Sequence, residues 1–406
     1  MDESVLAYSN GTGPTRSLVI YHTKFGSTAG TIRESAAYAR KSATGAKRLV
    51  RRHLAQGLGL TDDPSTFATF RDARTGLQYI RSSRELWERG LWLSLDAYQG
   101  HVFWEFDEVH DGTAGQWRRL AERLGGAGVP SLDDALVAQQ LEPVHAPLRA
   151  VLENDAMAAV VDGIVDDSHL DALANRLVPV LAAVAEATGV AGDPIALADQ
   201  IRDLVDEAFP SISGAADGES LAREDRAAFL LYLVLSRLGA LVPGADVAAT
   251  SLAWYDELRL APVVAAGLRS AGLDNSAASA VASTVRALLA LPRPSGLRGR
   301  GSQPELRLLE RWLASEPIRD AMGVHTWDGQ EWLDGDRFAS LLAWAWRLDA
   351  IETGTRAGPA RRIRLLKAAN EAGDRLDRLR AALSESGPAA RSPSRSRRAT
   401  RPRAGT

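Results

Sequence analysis

Residues 91–109, LWLSLDAYQGHVFWEFDEV, constrain the fold of this chain more than any other stretch. Two runs in which apolar and aromatic residues alternate with others flank a short Ala97-Tyr98-Gln99-Gly100 connection. A period of two puts successive side chains on opposite faces of a β-strand. In the first run Leu91, Leu93 and Leu95 share a face. In the second, Val102, Trp104 and Phe106 oppose His101, Phe103 and Glu105. The Val102–Trp104–Phe106 face is wholly apolar and reads as core. The opposite face mixes an imidazole, an aromatic ring and a carboxylate, as a sheet rim or a surface beneath a second element does.

Further strand signals precede this stretch. SLVIYH at 17–22 follows a turn-rich Asn10-Gly11-Thr12-Gly13-Pro14, and residues 5–9 are placed to pair with it as a hairpin. Residues 67–71 and 77–81 flank Asp72-Ala73-Arg74-Thr75-Gly76, a hairpin loop. A short helix at 84–89 ends at Gly90. From Gly112 onward the period changes to that of a helix. Trp117, Leu120, Ala121 and Leu124 line one helix that stops at Gly125-Gly126, and Ser131 caps the next, with Asp134 as the acidic third residue of a capping box. Helices follow near 132–140, 145–160, 168–187, 194–209, 220–241, 256–271, 276–291, 304–314, 334–352 and 360–383. Prolines 143, 194, 210, 243, 292, 294 and 304 are expected at their boundaries. Residues 325–330 read as a turn presenting aromatics.

The expected fold class is therefore α+β: a small antiparallel β domain at 1–111, a large all-helical array at 112–384, and an Arg/Ser/Pro tail at 385–406. That tail has almost no apolar surface to bury and is expected to be disordered. The chain is 406 residues long, 45% hydrophobic and 24% charged, as globular domains are. Its net charge of -3 conceals a basic end: 14 basic and 4 acidic residues fall at 356–406. Such an end can make a weak contact with a polyanion. No membrane partner is expected, because the richest apolar stretch, 229–242, is broken by Tyr232, Ser236 and Arg237. Asp2 and Glu3 stand where a secretory leader needs basic residues. There are no cysteines, which excludes disulfides, thiolate metal sites and a thiol nucleophile and fits a cytoplasmic location.

Candidate chemistry concentrates at the end of the β domain, in His101, Glu105, Asp107, Glu108, His110 and Asp111. Glu105 and Asp107, two apart on a strand, could face one way as a carboxylate pair, but nothing in the pattern supplies a second wall for a cleft. Strand-end charges facing solvent, or capping the next helix, are the simpler reading. No HxH, HExxH, GxSxG, Walker or GxGxxG pattern occurs, and Gly11-Thr12-Gly13 lacks the flanking strand and helix of a phosphate cradle, so neither metal nor cofactor is expected. His101, His110 and His145 read as structural. Ser211, Ser213 and Ser220 read as linker and cap residues. Trp87, Trp92, Trp104 and Trp117 gather near the end of the β domain as a core seam or a sugar-contacting patch. Trp312, Trp327, Trp332, Trp344 and Trp346 present the same choice. The binding positions worth following are Trp104, Trp92, Tyr98, His101, Glu105, Arg71, Asp72 and Arg81.

The segments VLAYSN (5–10), SLVIYH (17–22), FRD (70–72), TGLQYIRS (75–82), LDAYQ (95–99) with HVF (101–103), GVPS (128–131), LEPVH (141–145) and AMGV (321–324) carry a resemblance. Together they resemble the region that follows the catalytic barrel in large bacterial proteins of the α-amylase superfamily, glycoside hydrolases that act on α-glucans. The resemblance implies a post-barrel β domain with a helical extension, an α-glucan as ligand and a separate or missing catalytic barrel as partner. That superfamily hydrolyses with an aspartate nucleophile, a glutamate acid/base and a stabilising aspartate at barrel strand ends. No carboxylate here falls in such a context, so the chain alone is expected to be inactive. Three readings follow. A non-catalytic accessory region predicts an exposed apolar patch on the β domain. An independent carbohydrate-active enzyme predicts a concave pocket uniting Glu105, Asp107 or Asp72 with Arg71 and Arg81. A helical scaffold would rely on its anion-binding tail.

Overall fold

The structure, a computed structural model, describes residues 4–11, 13–41, 45–163, 166–212, 221–297, 303–353 and 359–385. The Gly11-Thr12-Gly13 turn is thus described only in part. Ser213, Ser220 and the tail from 386, with its expected disorder, lie outside the described residues. The architecture is α+β, with an antiparallel β region followed by a helical array. It divides into two compact units, Met1–Glu142 and Pro143–Thr406.

The first unit contains β1 (Val5–Asn10), β2 (Ser17–His22), β3 (Thr28–Ile32), β4 (Tyr38–Lys41), β5 (Lys47–Val50), α1 (Leu54–Gly57), β6 (Thr66–Asp72), β7 (Gln78–Ser82), α2 (Ser83–Glu88), β8 (Leu91–Leu95), β9 (Gly100–His110), α3 (Gln116–Leu124) and the start of α4 (Leu132–Leu152). Five strands form one antiparallel sheet in the order β1-β2-β9-β6-β7. The expected β1–β2 and β6–β7 hairpins are both present. The two runs of the 91–109 stretch do not pair with each other: β8 pairs with β3 in a separate ribbon, and β9 lies at the centre of the main sheet. The connection between them crosses from one layer to the other. It is pinned where the His22 Nδ1 meets the Asp96 carbonyl at 2.9 Å and the Asp96 N–H donates to the Gln99 side chain at 2.7 Å.

One backbone irregularity decides which way β9 faces. Thr69 stands opposite Asp107 and Arg71 opposite Trp104, so Phe70 alone faces two residues, Glu105 and Phe106. This is a β-bulge, with Glu105 in the left-handed region at φ 51°. The bulge turns Phe106 onto the face of Phe103. The expectation of a Val102–Trp104–Phe106 core face is therefore corrected: Phe103 and Phe106 are buried, whereas Val102 and Trp104 are exposed. On the inner face Phe70 meets Phe106 at 5.0 Å and Phe103 at 5.1 Å, and Tyr79 meets Phe103 at 5.6 Å. Leu18, Ile20, Leu91 and Leu95 complete this core between sheet and ribbon.

The opposite face of the sheet is covered by α3 and α4 at its β6–β7 end. Phe67 and Ile80 pack with Leu120 of α3 and Leu132 of α4, and Val109 and Trp117 lie against them. Hence the first compact unit reaches Glu142, past the change of period at Gly112 that marked the expected boundary. Gly125 terminates α3 in the left-handed conformation, and Ser131 caps α4 through the Asp134 N–H at 3.1 Å.

The second unit comprises the rest of α4, α5 (Asp155–Val161), α6 (Asp167–Thr188), α7 (Pro194–Ile212), α8 (Arg223–Leu235), α9 (Val247–Glu257), α10 (Leu260–Ser270), α11 (Asn275–Ala290), α12 (Pro304–Leu313), α13 (Glu316–Ala321), a hairpin of β10 (His325–Trp327) and β11 (Gln330–Trp332), α14 (Gly335–Thr353), α15 (Pro359–Ala372) and α16 (Leu376–Glu385). Helix α8 is buried on every side from Ala227 to Leu235 and serves as the axis of this core. Trp312, Trp344 and Trp346 are core residues, while Trp327 is exposed on the hairpin. Pro143 and Pro210 depart from expectation by lying inside α4 and α7, as Pro147 and Pro179 lie inside α4 and α6. Each removes one helical hydrogen bond, a loss of about 3 kcal/mol in an isolated helix, which the packing of these helices offsets.

The bulge yields a test. Glu105→Val forces a β-branched residue into the left-handed region and is expected to lower the unfolding free energy by about 2 kcal/mol, whereas Glu105→Gly should cost less than about 1 kcal/mol. Urea denaturation of the two variants measures the difference.

Candidate functional site

The polar cluster of the β unit is held together residue by residue. Asp72 closes β6 and is fully buried. Its carboxylate accepts from His101 Nδ1 at 2.9 Å, from the Arg74 N–H at 3.1 Å and from the Thr75 hydroxyl at 3.1 Å. The Gln99 amide lies 3.4 Å from His101 Nε2, which assigns the proton to Nδ1. The imidazole stacks on Phe103 at 5.3 Å. Burial alone would raise the Asp72 pKa, but the bonds from His101, Arg74 and Thr75 outweigh it and hold the carboxyl below its ordinary value. This buried pair locks the β6–β7 turn to β9.

Each remaining member of the cluster has a local partner. The Arg71 guanidinium donates to Glu105 at 2.9 Å and to the Gly76 carbonyl at 2.9 Å, across the bulge. Glu108 accepts from the Thr61 N–H at 2.8 Å and from the Thr61 and Ser83 hydroxyls at 3.0 Å, pinning a loop and α2 to the sheet. Asp107 accepts from the Glu108 N–H, and His110 lies 3.7 Å from Asp63. The buried Asp111 accepts from the Trp117 and Arg118 N–H groups at the start of α3. Asp111 thus caps the following helix, whereas Glu108 holds a loop and α2 to the sheet. Among the described residues, Asp72, Glu105 and Asp107 line none of three clefts of about 660, 730 and 960 Å³. Among the described residues, no three His, Asp or Glu side chains gather as a metal would require.

The aromatic candidates separate. Trp87 packs on the inner core and donates to the Leu60 carbonyl at 3.1 Å, and Trp117, on α3, packs against the cluster of Phe67, Ile80, Leu120 and Leu132. Trp104, Trp92 and Tyr98 are exposed. Tyr98 sits at the layer crossing with φ 54°, where a turn rather than a ligand accounts for it. Arg81 lies apart from Arg71 and Asp72, donating to the carbonyls of Ile80 and Gly126.

What residue-by-residue reading misses is a face. The register places Leu6 opposite Tyr21, and Tyr8 opposite Val19, which in turn opposes Val102. Trp104 continues the row beside Arg71. Leu6, Tyr8, Tyr21, Val102 and Trp104 are between 39% and 59% exposed, on the sheet surface that α3 and α4 leave open. The available signal was β2, whose residues 18–21 are apolar on both faces, a pattern that calls for cover on both sides.

No family model matches the chain, and no curated protein or solved structure matches it. Among the described residues no helix is long and apolar enough to cross a membrane.

The buried Asp72 carboxylate gives a signed pH prediction. A carboxyl whose pKa is lowered on folding contributes stability above its unfolded value and loses it as pH falls through the folded one. Acid unfolding of the wild type should therefore steepen below the ordinary aspartate range. Asp72→Ala should lose about 2–3 kcal/mol at neutral pH and show a shallower acid slope, measured by urea denaturation from neutral pH down to about pH 3.

Proposed function

We propose that this chain is a non-catalytic accessory region of an α-glucan-active glycoside hydrolase, whose β unit docks on an amylase-type catalytic barrel. The observation that carries this reading is the bare row of Leu6, Tyr8, Tyr21, Val102 and Trp104. Contiguous large apolar side chains on a sheet face mark an interaction surface, and this is the patch that the accessory reading requires. The structural employment of Asp72, Glu105, Glu108 and Asp111 supports it from the other side, since these carboxylates serve the fold. Against an independent enzyme stands that Arg81 lines a cleft which, among the described residues, Arg71, Asp72, Glu105 and Asp107 do not line. The resemblance to post-barrel regions supplies the identity of the docking partner. The absence of cysteine accords with a cytoplasmic setting.

The test has two parts. The purified chain, incubated with starch, glycogen and maltodextrins, is expected to release no reducing ends; turnover would overturn the reading. Co-expressed with an amylase-type barrel from the same genome, it should co-purify, and the double change Tyr8→Asp, Trp104→Asp should abolish co-purification while leaving the circular dichroism spectrum intact. Retention of the complex by that variant would remove the sheet face from the account.

A further inference from the structure

A second feature of the β unit, away from the bare sheet face, carries an inference of its own. A cleft of about 730 Å³ opens between α2, β8 and α3, within the size range of ligand sites. Phe67, Ile80, Leu86 and Leu91 contribute apolar lining, and Trp92, 61% exposed, stands among the lining residues. Five charged side chains line it as well: Arg81, Glu85, Arg89, Arg118 and Glu122.

Their partners, or the lack of them, are informative. Glu85 and Arg89 are four apart on and just beyond α2, and Arg118 and Glu122 are four apart on α3, a spacing at which opposite charges commonly pair. Neither pair is closed, and among the described residues no side-chain hydrogen bond or ion pair engages any of these four. Arg81 bonds only to the backbone carbonyls of Ile80 and Gly126 and lies over the Tyr79 ring at 5.8 Å. Burial lowers its pKa, against the smaller opposing influence of Glu85 and Tyr79. Glu85, Arg89, Arg118 and Glu122 are solvent-exposed, so the rim carries hydrated donors and acceptors together, next to a flat exposed indole.

That combination selects a ligand class. A fatty ligand would strip water from this charged rim without replacing its hydrogen bonds. A multiply charged anion would meet Glu85 and Glu122. A neutral polyhydroxylated ligand meets neither objection, because each hydroxyl both donates and accepts, and the C–H face of a pyranose ring can stack on an indole. We infer that this cleft is an oligosaccharide subsite, with Trp92 as its stacking platform and Arg89, Arg118, Glu85 and Glu122 as its hydrogen-bonding rim. The inference rests on the glucan-active reading only for the linkage, which that reading makes α-1,4.

Titration calorimetry of the full chain with maltoheptaose and, separately, cellohexaose tests it. Maltoheptaose is expected to bind, with Trp92→Ala and Glu122→Gln each weakening it about tenfold. Trp104→Ala on the sheet face and Trp327→Ala on the β10–β11 hairpin should leave binding unchanged. Failure of both sugars to bind at millimolar concentration overturns the subsite, as does binding that Trp92→Ala leaves intact. Such a failure leaves barrel docking standing, since co-purification reads that through Tyr8 and Trp104. Binding of cellohexaose in place of maltoheptaose, lost in Trp92→Ala, upholds the cleft and overturns the α-glucan reading.

Discussion

The structure of the β unit depends on the bulge at Glu105 and Phe106. A regular β9 would alternate strictly, and one of its two core phenylalanines would then point away from the ribbon. By giving Phe70 two partners, the chain puts Phe103 and Phe106 on the same side, where both touch Phe70. A fully buried phenylalanine contributes about 1.5–3 kcal/mol, more than the roughly 1–2 kcal/mol that a non-glycine residue in the left-handed region costs. The exchange is favourable, and the Arg71–Glu105 contact adds at most a surface ion pair's share.

The polar cluster around the bulge is engaged in bonds that hold the fold. Arg71 ties the bulge residue Glu105 to the β6–β7 turn, Asp72 ties that turn to His101 of β9, and Glu108 ties a loop and α2 to the sheet. A buried carboxylate can act in catalysis only if a substrate reaches it. The Asp72 carboxylate is enclosed by His101, Arg74 and Thr75, so its energy is spent on holding a turn. Clustered ionisable residues in a sequence thus acquire opposite meanings according to whether their mutual bonds are already complete.

Much of the secondary structure was legible because it left a strong period. The β1–β2 and β6–β7 hairpins, the glycine stop of α3 and the Ser131 cap each follow from local residue chemistry. Strands β3, β4 and β5 were not legible, since most of their residues face solvent and carry no alternation. Helix α4 read as two helices because Pro143 and Pro147 outweigh the pattern locally, whereas burial of Val144 and Leu148 outweighs it in the fold. Helix α9 went unseen because its residues 247–253 are small or weakly patterned. At the site, alternation correctly placed Leu91, Leu93 and Leu95 together but reversed the meaning of Val102 and Trp104. A bulge is a backbone event at a glutamate, with no glycine to announce it.

The sheet has one finished side and one half-finished side. Where α3 and α4 lie over β6 and β7, the outer positions Phe67 and Ile80 are buried as fully as core residues. Across β9, β2 and β1 the same face continues in apolar residues, which among the described residues remain 39–59% exposed. Had this end evolved to face water, antiparallel alternation would allow polar residues at positions 6, 8, 21, 102 and 104 at no cost to the inner core. Leu, Tyr, Tyr, Val and Trp at these positions oppose solubility, and β1 is also an edge strand. Both liabilities disappear together if a partner surface extends the layer that α3 and α4 begin.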